Sequence, residues 1–328
     1  MTTGVLVTLS SSVSKAITNH RILVTGGAGF IGSHLVDTLL KLDNTVTVID
    51  NFSVGESRNL PIHERLTVVH GDVSNRPLLS VVMQSQDLVF HFAAQSNIAL
   101  SSINADAEIK NGVLATVNVL ESMKDHGIHQ LIFASSGSVY GLTDSLMQES
   151  STLPSPISIY AANKIASESF IHSYSYLFDI QSLICRFSNI VGSRIRRGVI
   201  HDFILQLREH PDYLQILGDG NQYKPFMTVS DCIDAILYTY GHVLPNPVAT
   251  FNISTNTRIT VNDIATIVMK AMNLTDVELR YSGGSQGWSG DQPVVHLDTS
   301  ALSALGWHPQ NSALSAIVQT TRSLLQEL

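Results

Sequence analysis

The sequence predicts an α/β fold: a doubly wound parallel sheet with a second, smaller α/β domain interleaved with it. Three features lead there. A strand, a glycine turn and a helix follow one another from Arg21; strand-length apolar runs then alternate with helical stretches as far as Phe187; beyond it loops lengthen and prolines stand at Pro245 and Pro247. Such alternation is the signature of a parallel sheet covered by helices on both faces, because each parallel strand needs a crossover to return to the same edge. The expected division is an extension at 1–20, a first domain at 21–190 and a second at 191–328, with no internal repeat.

Residues 1–20 are rich in Ser and Thr around a short apolar patch at 5–9. They lack the basic start and the cleavage site of a signal peptide, and read as a poorly ordered extension. Residues 22–24 are an apolar run suited to a buried parallel strand. Glycines follow at Gly26, Gly29 and Gly32, and beyond them apolar residues recur three and four apart, the spacing of a helix. This order is that of a Rossmann nucleotide site. The glycines allow a tight turn, close approach of the backbone to a pyrophosphate and close helix–strand packing, with the helix N-terminus facing the phosphates. The next strand, at 45–50, ends in Asp50, about eighteen residues beyond Gly32 and near the spacing at which an acid reaches the adenosine ribose. A carboxylate there accepts hydrogen bonds from both ribose hydroxyls and repels a 2′-phosphate, which favours NAD over NADP. Further strands are expected at 66–70, 88–92, 130–135 and 182–187, and helices at about 105–126 and 157–178.

The second of those helices carries Tyr160-Ala-Ala-Asn-Lys164. At this spacing the Tyr and the Lys share one helical face, and an ammonium beside a phenol favours the phenolate, the form that removes a proton. An oxidised nicotinamide nearby favours it further. The spacing alone is common on surface helices. Its meaning comes from the order of the chain, with the glycine turn and a Ser-rich strand end, Ser135-Ser136-Gly137-Ser138, ahead of it.

The 328 residues are 44% hydrophobic, enough for a substantial core, and only 14% charged, with a formal net charge of −8. That balance argues against nucleic acid or an anionic membrane as the main partner, and no apolar run reaches membrane-spanning length. Cys185 and Cys232 lie inside apolar stretches and the 13 histidines are scattered without ligand spacing, so neither a disulfide framework nor a metal site is expected. A soluble, cytoplasmic enzyme fits this composition.

Several motifs stand in one order: Gly26-Gly-Ala-Gly29-Phe30-Ile31-Gly32-Ser-His34, Asp50-Asn51-Phe-Ser53, Gly71-Asp72-Val73, His91-Phe92-Ala93-Ala94-Gln95, Ser135-Ser136-Gly137-Ser138-Val-Tyr-Gly141, the Tyr–Lys pair and Arg186-Phe187-Ser-Asn189. Gly218-Asp-Gly-Asn-Gln-Tyr-Lys224, Val229-Ser-Asp231, Gly287-Trp-Ser-Gly-Asp291-Gln-Pro and Leu305-Gly-Trp307 come later. Through them the chain, from Arg21 to about Pro309, resembles the extended short-chain dehydrogenases/reductases, specifically the NAD-dependent sugar-nucleotide epimerase/dehydratase family. The resemblance implies that NAD is held by Gly26, Gly29, Phe30, Ile31, Gly32, Asp50, Asn51 and Ser53. It implies Asp72 and Val73 against adenine, Phe92, Ala93 and Ala94 along the dinucleotide, and Ser135, Tyr160, Lys164 and Phe187 toward the nicotinamide. It further implies that Tyr160, as phenolate, takes the proton of a sugar hydroxyl while carbon 4 gives its hydride to NAD. Lys164 would hold the nicotinamide ribose and lower the tyrosine pKa, and Ser136 would hydrogen-bond the same sugar oxygen. Asn189 is implied at the diphosphate–sugar junction, Lys224 at the diphosphate and Asp291 at ribose hydroxyls. The segment from Gln215 to Leu217 is implied beside the base, which points to uridine, and Ser138 and Val199 complete the substrate set.

One position separates the reactions of the family. Members that eliminate water carry an Asp-Glu pair after the strand-end Ser/Thr, and decarboxylating members keep a Glu; here Gly137 and Ser138 stand there, and neither is an acid or base near neutral pH. The implied reaction is epimerisation at carbon 4 through a transient 4-keto sugar. The alternatives are a 3- or 5-epimerase, a reductase or a dehydratase of the same family, or a dinucleotide-binding protein without catalysis. Three residues depart from relatives. Gln286 replaces an Arg used for the diphosphate, with Arg194, Arg196 or Arg197 as substitutes. Gly112 replaces the second of two asparagines, leaving Asn111 alone. Val295 replaces a bulky aromatic of epimerases that reject N-acetyl groups, which leaves room for an N-acetylhexosamine as well as a plain hexose. The implied assembly is a two-fold dimer through a four-helix bundle, using Ile165, Phe170, Ile171, Tyr174, Leu177, Val113, Leu114, Val117 and Leu120.

Overall fold

The computed structural model describes residues 17–95, 104–143, 145–151, 155–243 and 247–328; the expected extension up to residue 16, and Pro245, lie outside them. From the N-terminus run β1 (Arg21–Thr25), α1 (Phe30–Lys41), β2 (Thr45–Asp50), β3 (Leu66–His70), α2 (Arg76–Met83), β4 (Leu88–His91), α3 (Ala105–Ile109), α4 (Ala115–His126), β5 (Gln130–Ser136), α5 (Ile159–Phe178) and β6 (Gln181–Phe187). Then come β7 (Asn189–Val191), α6 (Val199–Glu209), β8 (Tyr213–Ile216), β9 (Tyr223–Lys224), β10 (Phe226–Thr228), α7 (Val229–Val243) and β11 (Val248–Ile253). The chain ends with β12 (Ile259–Thr260), α8 (Val261–Ala271), β13 (Glu278–Tyr281), α9 (Ser300–Ala304) and α10 (Ala313–Glu327).

Seven strands, all parallel, form the central sheet in the order β11-β6-β5-β4-β1-β2-β3. The order reverses between β1 and β4, and a cleft opens at the carboxyl ends of strands where such a reversal occurs. Side chains alternate across the sheet with period two. Ile22 and Val24 pack with Leu35, Leu39, Phe90 and Ile236 under α1 and α7, whereas Leu23 packs with Leu79, Val89, Leu120 and Ile171 under α2, α4 and α5. Burial on both faces accounts for the continuous apolar runs. Strand β4 ends at His91, one residue before the expected bound, and the Phe92 N–H that follows bonds the carbonyl and hydroxyl of Thr25 at 3.1 and 3.2 Å. Ile17 is buried in the core, and Asn44 fixes the entry to β1 by donating to the Ile17 carbonyl at 2.8 Å and accepting from the His20 N–H at 2.9 Å.

The helix expected at 105–126 is two helices joined by a π-type turn at Lys110–Leu114, with Gly112 at its centre. The second lobe pairs β7 with β10, β8 with β13 and β9 with β12, and packs α6, α8 and α10 around Ile204, Leu214, Ile264 and Ile317. Between its two stretches, α7 and β11 return to the central sheet.

Candidate active site

A cleft of about 420 Å³ crosses the carboxyl edge of the sheet at the β1–β4 reversal. Every residue expected to hold NAD lines it, from Gly26, Gly29, Phe30, Ile31 and Gly32 through Asp50, Asn51, Ser53, Asp72 and Val73 to Phe92, Ala93, Ala94, Ser135, Tyr160, Lys164 and Phe187. The glycine turn is required sterically: Gly26 has φ +70° and a Cβ on it would stand 2.7 Å from the Ala93 nitrogen, while one on Gly32 would stand 2.3 Å from the Gly26 carbonyl. Gly29 begins α1 without a side-chain cap and the first turn holds no acid, so its N–H groups are left for an anion in the cleft. Asp50 also shapes the turn, accepting from the Ala28 N–H at 2.9 Å and the Phe52 N–H at 2.8 Å. Asn51 donates to Asp72 at 2.9 Å. From β5 to β2 is three strand spacings of about 4.8 Å, roughly 14 Å, so Ser136 and Asp50 stand at opposite ends of an elongated cleft. An uncapped helix terminus midway and a carboxylate at one end fit NAD.

At the other end, Tyr160 sits in the first turn of α5, whose N-cap Ser158 hydroxyl accepts from the Ala161 N–H at 3.1 Å. Burial pushes the Tyr160 phenol up to about 12, opposed by a hydrogen bond with Ser136 and by the Arg197 charge, and reinforced by Glu108. Burial brings Lys164 down to about 8, opposed by Glu168 and Glu108. The Lys164 ammonium donates to the Ala134 carbonyl at 2.6 Å and lies over the rings of Phe133 and Tyr160 at 4.7 and 5.8 Å. The Lys164 charge is held at the Ala134 carbonyl and the ring faces, and Ser136 and Arg197 oppose the effect of burial on the phenol.

The strand end is locked to α5 by a buried ion pair. Arg186 reaches Glu168 at 2.7 Å, Ser135 donates to the same carboxylate at 2.5 Å, and Arg186 also donates to the Tyr140 hydroxyl at 2.9 Å. Beyond β5 a 3₁₀ turn spans Gly137–Tyr140, and the Ser136 hydroxyl accepts from the Ser138 N–H at 3.2 Å. A Cβ on Gly137 would come within 3.3 Å of Leu297 and of the Phe187 carbonyl. The Ser138 hydroxyl is buried and makes no hydrogen bond among the described residues.

The expected substrate residues divide. Asn189 lines the cleft and donates to the Pro225 carbonyl at 3.1 Å, as Ser136 lines it at the strand end. Ser138, Val199, Gln215, Leu217, Lys224, Asp291 and Val295 do not line it. Lys224 and Asp291 are brought together as an ion pair, and Asp291 is held by the Gly287 N–H at 3.0 Å and, through its carbonyl, by Gln286 at 2.9 Å. Gln215 donates to the Arg280 carbonyl at 3.1 Å and Leu217 is exposed. Val199 opens α6, and Val295 is buried with Val139, Tyr140, Met147 and Leu297. Arg194, Arg196 and Arg197 all line the cleft, as does Asn111. Sequence reasoning missed Glu56 and Asn59, which also line it; Asn59 donates to the Ala28 carbonyl at 3.0 Å and so braces the glycine turn. It comes from a short 3₁₀ turn with no periodicity, and only spatial proximity reveals it.

A UDP-glucose 4-epimerase of Mycolicibacterium smegmatis is 29% identical over 310 residues, covering 92% of this chain and 97% of its own. A crystal structure of a UDP-galactose 4-epimerase superposes with a TM-score of 0.86 at 35% identity, over 94% of this chain and 99% of its own. A UDP-glucose 4-epimerase from Thermus thermophilus in complex with NAD gives a TM-score of 0.83 at 26% identity, over 94% and 100%. The model of the NAD dependent epimerase/dehydratase family matches residues 22–254, from the first strand of the central sheet to its last. This chain belongs to the NAD-dependent epimerase/dehydratase family.

Proposed function

We propose that the protein inverts carbon 4 of a UDP-linked sugar, a hexose or an N-acetylhexosamine, through a transient 4-keto sugar, with NAD as its cofactor. One observation carries this reading: Ser136, Tyr160 and Lys164 line the cleft together, and among the described residues no acid stands at the strand end beside them to eliminate water. The carboxylates lining the cleft, Asp50, Glu56 and Asp72, belong to the ends of β2 and β3 and the loops beyond them, three or more strands away from Ser136. A side chain at position 137 would press at 3.3 Å on Leu297 and on the Phe187 carbonyl. Bound along the cleft, NAD supplies the oxidant that takes hydrogen from carbon 4 and gives it back. Tyr160 takes the proton of the carbon-4 hydroxyl, Ser136 holds the same oxygen, and Lys164 holds the adjoining ribose. With no acid to expel a neighbouring hydroxyl, the ketone persists until the sugar turns. Hydrogen then returns to its opposite face, and Tyr160 returns the proton. Incubating the NAD-loaded protein with UDP-glucose, UDP-N-acetylglucosamine and their glucuronate and xylose counterparts, with proton NMR of the sugars, tests the reading. The carbon-4 partner of at least one is expected, and a stable keto-deoxy product would refute it.

The same helices support a homodimer. Phe170 and Leu177, seven residues apart on α5, Tyr176 beside them and Leu114 just before α4 are exposed among the described residues, apolar surface that a second copy would cover. Ile171 and Leu120, expected on that face, are instead buried in the chain's own core. No helix among the described residues is long and apolar enough to cross a membrane.

A further inference from the structure

The segment between β7 and α6 ties the two halves of the cleft together through contacts that the proposed reaction does not use. Within it Arg194, Ile195, Arg196 and Arg197 line the cleft. His34 Nε2 donates to the Ser193 carbonyl at 3.1 Å and the Arg194 guanidinium pairs with Asp37 at 2.7 Å, which lays the segment along α1. Glu56, which also lines the cleft, is seated on the glycine turn: its N–H donates to the Ala28 carbonyl at 3.1 Å and its carboxylate accepts from Arg58. Arg196 Nε reaches that carboxylate at 3.9 Å. From the second lobe Glu327, the last residue of α10, accepts from the Arg194 N–H at 3.1 and 3.3 Å and from Arg196 Nη1 at 3.0 Å. Arg194 has φ +66°, a left-handed conformation that its side chain disfavours, and its Nη1 is buried without a hydrogen-bond partner among the described residues. The segment ends at Gly198, where φ is +93° and no atom stands within 4 Å of the Cβ position, so the backbone is free to turn there. Local strain of this kind, held by contacts from elsewhere, points to a functional segment.

We propose that residues 193–197 are a strap that NAD must displace to enter or leave the cleft, and that Glu327 is the positioning residue that holds the strap shut by setting Arg196 against Glu56. This rests on NAD as the cofactor and not on the reaction. The strap runs along α1, whose uncapped N-terminus is the place for the cofactor's diphosphate, and the Arg196–Glu56 contact joins it to the loop seated on the glycine turn. Two carboxylates neutralise Arg196, so it links the two sides of the cleft rather than serving as an anion ligand. The pairs have the strength of a latch. Arg196, Glu56 and Glu327 keep 29%, 33% and 26% of their side chains exposed, so each pair contributes little and is weakened by salt. Opening relieves the left-handed Arg194 and its unpartnered donor. A segment held by a few weak pairs against local strain opens without unfolding either lobe.

The test measures NAD release from the loaded protein, trapping freed NAD with alcohol dehydrogenase and excess ethanol and reading NADH absorbance, and NAD affinity by equilibrium dialysis. It needs no sugar nucleotide, so it stands apart from the assignment of the reaction. Glu327→Gln and Arg196→Gln each remove one charge of a partly exposed pair, and each should release NAD about three- to fivefold faster. A strap that bars both directions speeds entry and release alike, so Kd should stay within about twofold of wild type. The double variant should release NAD no faster than the faster single variant, because both residues act through one contact. In about 1 M salt, where the Debye length is about 3 Å, wild type and variants should release NAD at the same rate. Release at the wild-type rate in either folded variant overturns the proposal. So does a Kd that rises in step with the release rate, the result of a residue that supports bound NAD directly. Should one variant fail to fold, the other decides.

Discussion

At the scale of single residues, burial outweighs the charges that the sequence makes visible. Tyr160 and Lys164 are legible from their spacing together with the motifs ahead of them, yet burial shifts both, modulated by Ser136, Arg197 and Glu108 from other parts of the chain and by Glu168 one turn further along the helix. His91 shows the same rule. It bridges Thr25 and Thr116 at 2.8 and 3.2 Å, and burial lowers it from 6.5 to about 3. The unfolded chain binds this proton as pH falls through 6.5 and the folded chain does not until about 3, so stability is full above 6.5 and is lost below it. Between pH 7 and pH 5 this residue should cost about 2 kcal/mol. Urea midpoints measured across that range should fall, and His91→Gln should flatten the dependence; an unchanged slope would rule the effect out.

At the scale of elements, β2 and β3 fall at 45–50 and 66–70, where their β-branched runs place them, although β3 is a largely exposed edge strand. The π-type turn at Lys110–Leu114 was not readable, because one extra residue per turn leaves the apolar pattern of α3 and α4 nearly continuous. Gly112 was visible as a departure, and its partner Asn163 is found only across the helix interface. The joint between β5, β6 and α5 is also non-local. Glu168 is 4% exposed and Arg186 6% exposed, with Ser135 on the same carboxylate, so removing one charge strands the other in the core. Glu168→Gln should cost about 3–5 kcal/mol in urea unfolding and loosen Ser135 at the strand end. A cost below about 1 kcal/mol, that of an exposed pair, would contradict this account.

At the scale of the whole molecule, the NAD half of the cleft was legible because one glycine turn, two strand ends and one helix suffice to build it. The nucleotide half was not. Lys224, Asp291 and Gln286 stand in recognisable motifs, but whether they reach the cleft depends on how the second lobe is carried by α7 and β11, which no local pattern encodes. The exposed apolar face of α5 makes a corresponding claim about assembly. Light scattering at micromolar concentration should give twice the chain mass, and Tyr176→Asp with Leu177→Asp should halve it; a wild-type monomer would remove the dimer from the account. The central claim is that hydrogen leaves carbon 4 and returns to the same carbon without elimination. UDP-glucose carrying deuterium at carbon 4, or its N-acetyl counterpart if that is the one turned over, tests this most directly in NAD-loaded protein. The account predicts an epimer that keeps the deuterium at carbon 4, with Tyr160→Phe slower by about 10²–10⁴-fold. Deuterium lost to water, or moved to carbon 6 of a deoxy sugar, would contradict it.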